Sequence, residues 1–315
     1  MPPFPKPTVA YDYDLTAQLK AIRDYAKQPS RAIPAPAPDR LRIATWNVAN
    51  LGVQERRDKD YRLIAEIMSW FDLVAVQEVN NNLGGIRSVH AHLPARYRLL
   101  YSDASGNDER LTYLYDASRV RLLEEIGEVA PAPSTYRYIT LPGVGQTFSG
   151  FDRNPYLATF TCGSFTFSLV NVHLYFGSDS TIAKNRRSLE TYAVARWADI
   201  RRKSSGAFTH DVIPLGDFNL PKRQPGDPIY EALIKRGLQL PPHSTQIGSS
   251  IATDATYDQI AFFPGETQDD FVQAGVFDFD GGVFGDLWSS HQNDFLGYLR
   301  YYLSDHRPLW AVFRV

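Results

Sequence analysis

Phe165-Thr-Phe-Ser-Leu-Val-Asn-Val-His173 is the stretch from which the rest of the chain is best read. Phe165, Phe167, Leu169 and Asn171 alternate with Thr166, Ser168, Val170 and Val172, and the second set turns apolar towards its end. Successive side chains of a strand point to opposite faces, so a segment apolar on one side from Phe165 to Leu169 and on the other at Val170 and Val172 suits a sheet covered on both faces. Two packed sheets with helices outside provide that cover. Other short β-rich runs recur at 43–48, 73–79, 97–101, 112–115, 157–161, 165–174, 212–215 and 309–315. Helical spacing is readable at 15–27, at 61–71 and from 182 to about 202, the last through Ile182, Leu189, Ala193, Trp197 and Ile200. Helices therefore sit between strands, as in an α/β fold. Residues 1–40 read as an N-terminal arm, a short helix followed by a Pro/Ala stretch at 33–38 that is expected to be extended and poor at packing. Residues 41–315 read as one domain, in which the stretch at 276–286, rich in Gly, Asp and Phe, is expected to be part of a long loop.

The composition fits a globular protein: 315 residues, 43% hydrophobic and 13% aromatic, can fill a sizeable core. A net charge of −2 offers no bulk attraction to a polyanion, so positive potential for one must be local or brought by a metal ion. Lys184, Arg186, Arg187, Arg196, Arg201, Arg202 and Lys203, along or just beyond the long helix, form either a phosphate-tracking surface or a solvated helix face. Cys162 is the sole cysteine, which excludes an intrachain disulfide and a cysteine-rich metal site and fits a reducing compartment. Apolar runs stop well short of the ~20 residues a membrane helix requires, and the N-terminus lacks the layout of a signal peptide. A soluble, monomeric, cytoplasmic protein is expected, with secretion left open if the N-terminus is processed.

Five strand-like segments end in, or lead into, a metal-competent or titratable group: Asn47, Glu78, His173, Asp217 with Asn219, and Asp305 with His306. Singly, each has an ordinary explanation as a turn former, a cap or a satisfied core histidine. Together they mark one edge of the sheets. The strand Asp72-Leu-Val-Ala-Val-Gln-Glu78 delivers its carboxylate to a sheet edge, where hard cations find oxygen ligands, so Glu78 is the foremost metal-ligand candidate. Gly216-Asp217-Phe218-Asn219 allows a tight turn with Asp217 and Asn219 pointing the same way, able to hold a metal or a phosphoryl oxygen. Ser304-Asp305-His306 sets a carboxylate beside an imidazole, one to ligate and one to move a proton.

Thr45-Trp-Asn47, Val76-Gln-Glu78, Asn171-Val-His173, Gly216-Asp-Phe-Asn219 and Ser304-Asp-His306, in that order over roughly 42–315, resemble the endonuclease/exonuclease/phosphatase superfamily. The resemblance implies a four-layer α/β/β/α sandwich of two mainly antiparallel sheets flanked by helices, with the site at one end. It is nearest to the DNase I-like branch. The segment 107–115 resembles the one whose carboxylate serves a catalytic histidine, so Glu109 would orient His173; 256–260 resembles its counterpart, so Asp258 would orient His306. Arg153 stands where that branch carries an arginine near the scissile phosphate, and Asn171 is a phosphate-binding candidate. Asn107 stands where an aromatic is expected, and with Cys162 alone the disulfides of secreted relatives, their calcium sites and their minor-groove contacts do not carry over.

What the resemblance implies is a Mg²⁺-dependent phosphodiesterase, with Mn²⁺ as a substitute, hydrolysing DNA in preference to RNA. Asn47, Glu78 and Asp305 would hold the ion, Asp217 and Asn219 would orient the phosphate or a second ion, and Arg153 would steady the developing charge. His306 is the candidate base and His173 the candidate acid, an assignment that the sequence alone does not separate. A sphingomyelinase-like or inositol-phosphate enzyme is the alternative, since Phe277, Phe279, Phe284 and Trp288 suit either membrane contact or packing. A non-catalytic docking module would be expected to have lost a ligand or a histidine. A closer variant, an abasic-site endonuclease, usually lacks the first histidine and carboxylate pair in this form.

Overall fold

The computed structural model describes residues 2–31 and 33–315. Its strand β1 (Arg40–Leu51) is buried almost throughout, and its two faces enter two different cores. Leu41 and Ile43 point between the sheets, while Ala44, Trp46 and Val48 point outward under helices. The first sheet runs β10 (Phe271–Val276), β11 (Leu309–Arg314), β1, β2 (Leu73–Asn80), β4 (Glu109–Asp116), β3 (Tyr97–Tyr101). The second runs β5 (Arg121–Glu128), β6 (Tyr156–Cys162), β7 (Phe165–His173), β8 (Val212–Asp217), β9 (Asp258–Ile260). Neighbours are antiparallel except β1 with β2 and β7 with β8, which are parallel. Parallel partners need a crossover, supplied by α2 (Asp58–Met68) and α4 (Thr181–Lys203).

Phe160, Phe165, Phe167 and Leu169 meet Ile43, Tyr113, Leu309 and Phe313 between the sheets, with Phe165 stacked on Phe167 at 4.8 Å and on Phe313 at 5.5 Å. On the other face of β7, Val170 and Val172 pack with α4 and α5 (Pro228–Ile234). The alternation in 165–172 is thus that of a strand between two cores. The outer face of the first sheet is covered by α1 (Leu15–Tyr25), α2, α3 (Gly84–His92), α7 (Gly285–Ser290) and α8 (Gln292–Tyr302), and α6 (Glu266–Asp270) leads into β10. Tyr13 and Ile22 are buried in that layer, with Phe4, Val9 and Tyr11 against it. Among the described residues, no helix is long and apolar enough to cross a membrane.

Several sequence expectations are corrected. The stretch 276–286 joins β10 to α7 through an irregular segment with one 3-10 turn at Phe279–Gly281, as a loop was expected to, but it is buried: Phe277, Phe279 and Phe284 have no exposed surface. Three strands escaped pattern reading. β5 is a charged, half-exposed edge strand, β9 has only 3 residues, and β10 is broken by a register shift between Phe271 and Gln273. The face expected for α4 holds in its middle, where Leu189 and Ala193 are buried and Trp197 packs against the core, but not at its ends, where Ile182 is 71% and Ile200 is 45% exposed; Ala183, Val194, Ala195 and Ala198 are buried as well. α2 begins at Asp58, ahead of the expected start, where the Asp60 carboxylate accepts from the Arg57 backbone N–H at 2.7 Å.

Candidate catalytic site

Towards one end of the sandwich the apolar core gives way to a buried polar layer. Gln77 Nε2 donates to Thr45 Oγ1 at 3.0 Å and to Asn171 Oδ1 at 2.6 Å, and Asn171 Nδ2 donates to Thr112 O at 3.0 Å. Asn171 therefore ties the second sheet to the first, with its amide spent on sheet contacts rather than facing the cleft beyond.

The next residues reach that cleft. Register places His173 beside Asp217 across β7 and β8, and Asp217 beside Asp258 across β8 and β9, so three titratable groups stand in one row. Gly216 allows this approach: its φ is +134°, and a Cβ there would lie 2.1 Å from Val172 O. From the facing sheet come Asn47 and Glu78. Alternation along β2, with Val74 and Val76 turned to the helices, would send Glu78 to the outer face as well. Instead a register shift after Val76 and a left-handed φ of 59° re-aim it. Glu78 Oε1 then accepts from Asn47 Nδ2 at 2.9 Å and Oε2 from Asn50 N at 2.8 Å. Asn47 Nδ2 also donates to Asp217 Oδ2 at 3.0 Å, bridging the two carboxylates.

Both expected histidine and carboxylate contacts are present. His173 Nδ1 lies 2.8 Å from Glu109 Oε2, and His306 Nδ1 lies 2.7 Å from Asp258 Oδ2. A carboxylate on Nδ1 selects the tautomer that leaves Nε2 to exchange protons, and His173 Nε2 is 3.7 Å from Asp217 Oδ2 and 4.0 Å from Glu78 Oε1. Burial and Arg153 pull the His173 pKa down, yet Glu109 and Asp217 hold it above the ordinary value. Burial also opposes charge on His306, but Asp258, Asp217 and Asp305 hold it well above. Burial likewise opposes charge on Asp217, and His306, His173, the Asn219 N–H and Asn47 keep it below the usual carboxylate range. Glu78 goes the other way: burial raises it, Glu109 and Asp305 add to the rise, and His173 and Asn47 only partly offset it.

The cleft has a volume of about 690 Å³ and is lined by Glu78, Arg153, His173, Asp217, Asn219, Asp305 and His306, together with Phe4, Asn107, Tyr175, Phe176, Tyr257 and Arg300. Asn219 lies at φ 51°, its Nδ2 on Leu174 O at 2.8 Å and its N–H on Asp217 Oδ1 at 2.8 Å. Arg153 is buried; its Nε donates to His173 O at 2.7 Å and its Nη2 to Leu174 O at 3.1 Å, and it sits 3.7 Å from Glu109.

Two residues hold the rim: Arg187, expected on a phosphate-tracking or solvated face, and Glu190, not picked out from the sequence. Arg187 is buried and donates to the carbonyls of Tyr175, Phe176, Ser178 and Asn219. Glu190, with no exposed surface, accepts from Asp152 N and Tyr175 N. Charged residues on the buried side of a helix were the available signal. The rest of the basic run is largely engaged: Arg186 with Asp152 and Glu190, Arg201 with Glu125, Arg202 and Lys203 with Asp199, and Arg196 over the Tyr138 ring.

Asn47 Oδ1 is buried without a hydrogen-bond partner, and an unpaired oxygen of this kind suits a hard cation. Asp217, Asp258 and His306 bring ligand atoms within 4.8 Å of one another. Asp258 and His306 in that group are already hydrogen-bonded to each other.

No family model matches the chain. A protein named deoxyribonuclease from Thioalkalivibrio sp. (strain K90mix) is 27% identical over 297 residues, covering 89% of this chain and 73% of that protein. An endonuclease/exonuclease/phosphatase family protein of Bacteroides thetaiotaomicron superposes with a TM-score of 0.59 at 18% identity, over 87% of this chain and 94% of its own. TDP2 of D. rerio, solved in complex with a single-strand DNA product, superposes with a TM-score of 0.55 at 18% identity, over 88% of this chain and 99% of its own. The two helix-flanked sheets of this protein are thus the fold of the endonuclease/exonuclease/phosphatase family, in its DNase I-like form.

Proposed function

We propose that this protein is a divalent-metal-dependent phosphodiesterase that cleaves DNA. The observation that carries the reading is the pair of histidines, each held through Nδ1 by a buried carboxylate, at one cleft with Asp217 beside His173. A docking module has no use for two oriented proton carriers. A phosphodiester resists water because its oxygens repel nucleophiles, so charge must be neutralised, water activated and the leaving oxygen protonated. Glu78, Asp305 and the unpaired Oδ1 of Asn47 form an oxygen donor set suited to Mg²⁺ or Mn²⁺, and the crowding that raises Glu78 is the kind a cation relieves. A bound ion would supply Lewis-acid stabilisation of the phosphoryl oxygens.

The chain's own groups would do the rest. In this reading one of the two histidines accepts the proton of the attacking water at Nε2 and the other delivers one to the leaving oxygen, while Glu109 and Asp258 keep both rings in register. Asp217 and Asn219 orient the phosphate, and Arg153 adds positive charge at the cleft floor. Asn171 contributes by holding the two sheets in position. The deoxyribonuclease name of the 27% identical relative supports DNA as substrate, as does the DNA product bound by a protein of the same fold. A lipid substrate loses most of its support, because Phe277, Phe279 and Phe284 are core residues and only Trp288 of the four is exposed.

Supercoiled plasmid incubated with Mg²⁺, Mn²⁺ or EDTA tests the proposal. Nicking is expected with either metal, and none in EDTA or by folded His173→Ala and Glu78→Ala variants. A folded wild-type protein that leaves both plasmid and a single-stranded oligonucleotide intact in both metals would overturn the DNA assignment.

A further inference from the structure

The N-terminal segment closes one side of the cleft. Phe4 lines it together with Arg300, and the Arg300 guanidinium lies 4.0 Å from the centre of the Phe4 ring. Three further contacts hold the segment. Phe4 N donates to Gln54 Oε1 at 3.2 Å, Asn50 Nδ2 donates to Pro2 O at 3.4 Å, and Lys6 pairs with Glu55 at 3.0 Å. Pro2, Pro3, Pro5 and Pro7 restrict the backbone on either side of Phe4, so little conformational freedom remains to be lost when the ring is used. The docking loop also reaches the candidate metal site, because the N–H of the Asn50 that holds Pro2 donates to Glu78 Oε2.

A partly exposed ring, backed by a cation and set beside the candidate phosphate-handling groups, has one evident use in a nucleic-acid cleft. We propose that Phe4 is a stacking platform for an unpaired nucleobase next to the scissile phosphate, with Arg300 polarising the ring and facing the backbone. Tyr175 and Tyr257 line the same cleft and give it further aromatic surface. A base stacked inside a duplex has no free face to offer, so the platform selects single-stranded DNA or frayed ends. The inference rests on the phosphodiesterase reading above and adds the substrate form and the residue that selects it.

The test uses the full chain and a short single-stranded oligonucleotide, in intact form and with one base at a time near the cut replaced by an abasic tetrahydrofuran. Stacking on an aromatic is worth about 1–3 kcal/mol per base, so Phe4→Ala is expected to raise KM by roughly tenfold with kcat little changed. Phe4→Trp restores KM and Phe4→Leu does not. On the oligonucleotide whose abasic position removes the stacked base, wild type and Phe4→Ala have equal KM. A structural role for Phe4 predicts the reverse pattern, with rescue by Leu and the same defect on every substrate, and that result would overturn the proposal. So would an unchanged KM for Phe4→Ala. If wild-type protein nicks plasmid but cleaves no single-stranded oligonucleotide in Mg²⁺ or Mn²⁺, this inference falls alone; if it cleaves neither, the phosphodiesterase reading falls and takes the inference with it.

Discussion

Glu190 provides a stability measurement that depends on one buried group. It has no exposed surface on α4 and accepts from Tyr175 N at 3.0 Å and Asp152 N at 3.2 Å, holding both chain segments against the cleft. Burial pushes its carboxyl from 4.5 up to about 7, against the pull of the Tyr175 N–H and Arg186. The unfolded chain releases this proton near its ordinary value and the folded chain holds it to about 7, so between those values the native state binds more protons. The sign follows: the stability is fully present below the unfolded pKa and is lost as pH rises through the folded one. At ~1.4 kcal/mol per pKa unit, an offset of this size amounts to about 3 kcal/mol, of which roughly 2–3 kcal/mol falls between pH 5 and pH 8. Glu190→Gln keeps an acceptor but does not titrate. Urea unfolding of both proteins at several pH values is therefore expected to show the variant gaining that amount on wild type across the interval. Parallel stability curves would refute the reasoning, meaning that Glu190 stays ionised in the folded protein.

Gly216→Ala is expected to destabilise the fold by about 3 kcal/mol or more, since the new Cβ meets the Val172 carbonyl at 2.1 Å and the positive φ adds strain. Thermal or urea unfolding checks it, and a loss under about 1 kcal/mol would show that β7 and β8 can separate cheaply. Asp258→Asn leaves the buried volume intact but removes the charge that orients His306. Its kcat for DNA cleavage is expected to fall by roughly 10²-fold or more with an unchanged circular dichroism spectrum, and near-normal turnover would remove Asp258 from the proton pathway.

Much of the fold was legible because side-chain period reports burial. The alternation through 165–172 suited two covered faces, and the structure supplies them as the inter-sheet core and the helix layer over β7. The ordered polar residues at strand ends likewise marked one end of the sandwich, since a strand that runs apolar and then polar must leave the core somewhere. β5, β9 and β10 were not legible. Their pairing comes from neighbours remote in the chain, and a short, charged or bulged strand carries little periodic signal of its own. The burial of the aromatic cluster at 277–284 was hidden for a related reason: Gly and Asp rightly mark an irregular segment, but the burial of Phe277, Phe279 and Phe284 depends on α1, α8 and β1 packing over them.

By itself, then, the sequence determined the α/β class, the two-sided burial of the central strands and the identity of the polar residues gathered at one edge. Only the tertiary structure decided which of them meet. Glu78 turns into the cleft through a bulge that alternation alone would not place, and Asn171, two residues before His173, is drawn into a clip between the sheets. Phe4, nearly three hundred residues from Arg300, becomes a wall of the same cleft. Periodicity is a property of neighbours along a chain, and contacts across such separations are settled by packing and by pairing every buried polar group.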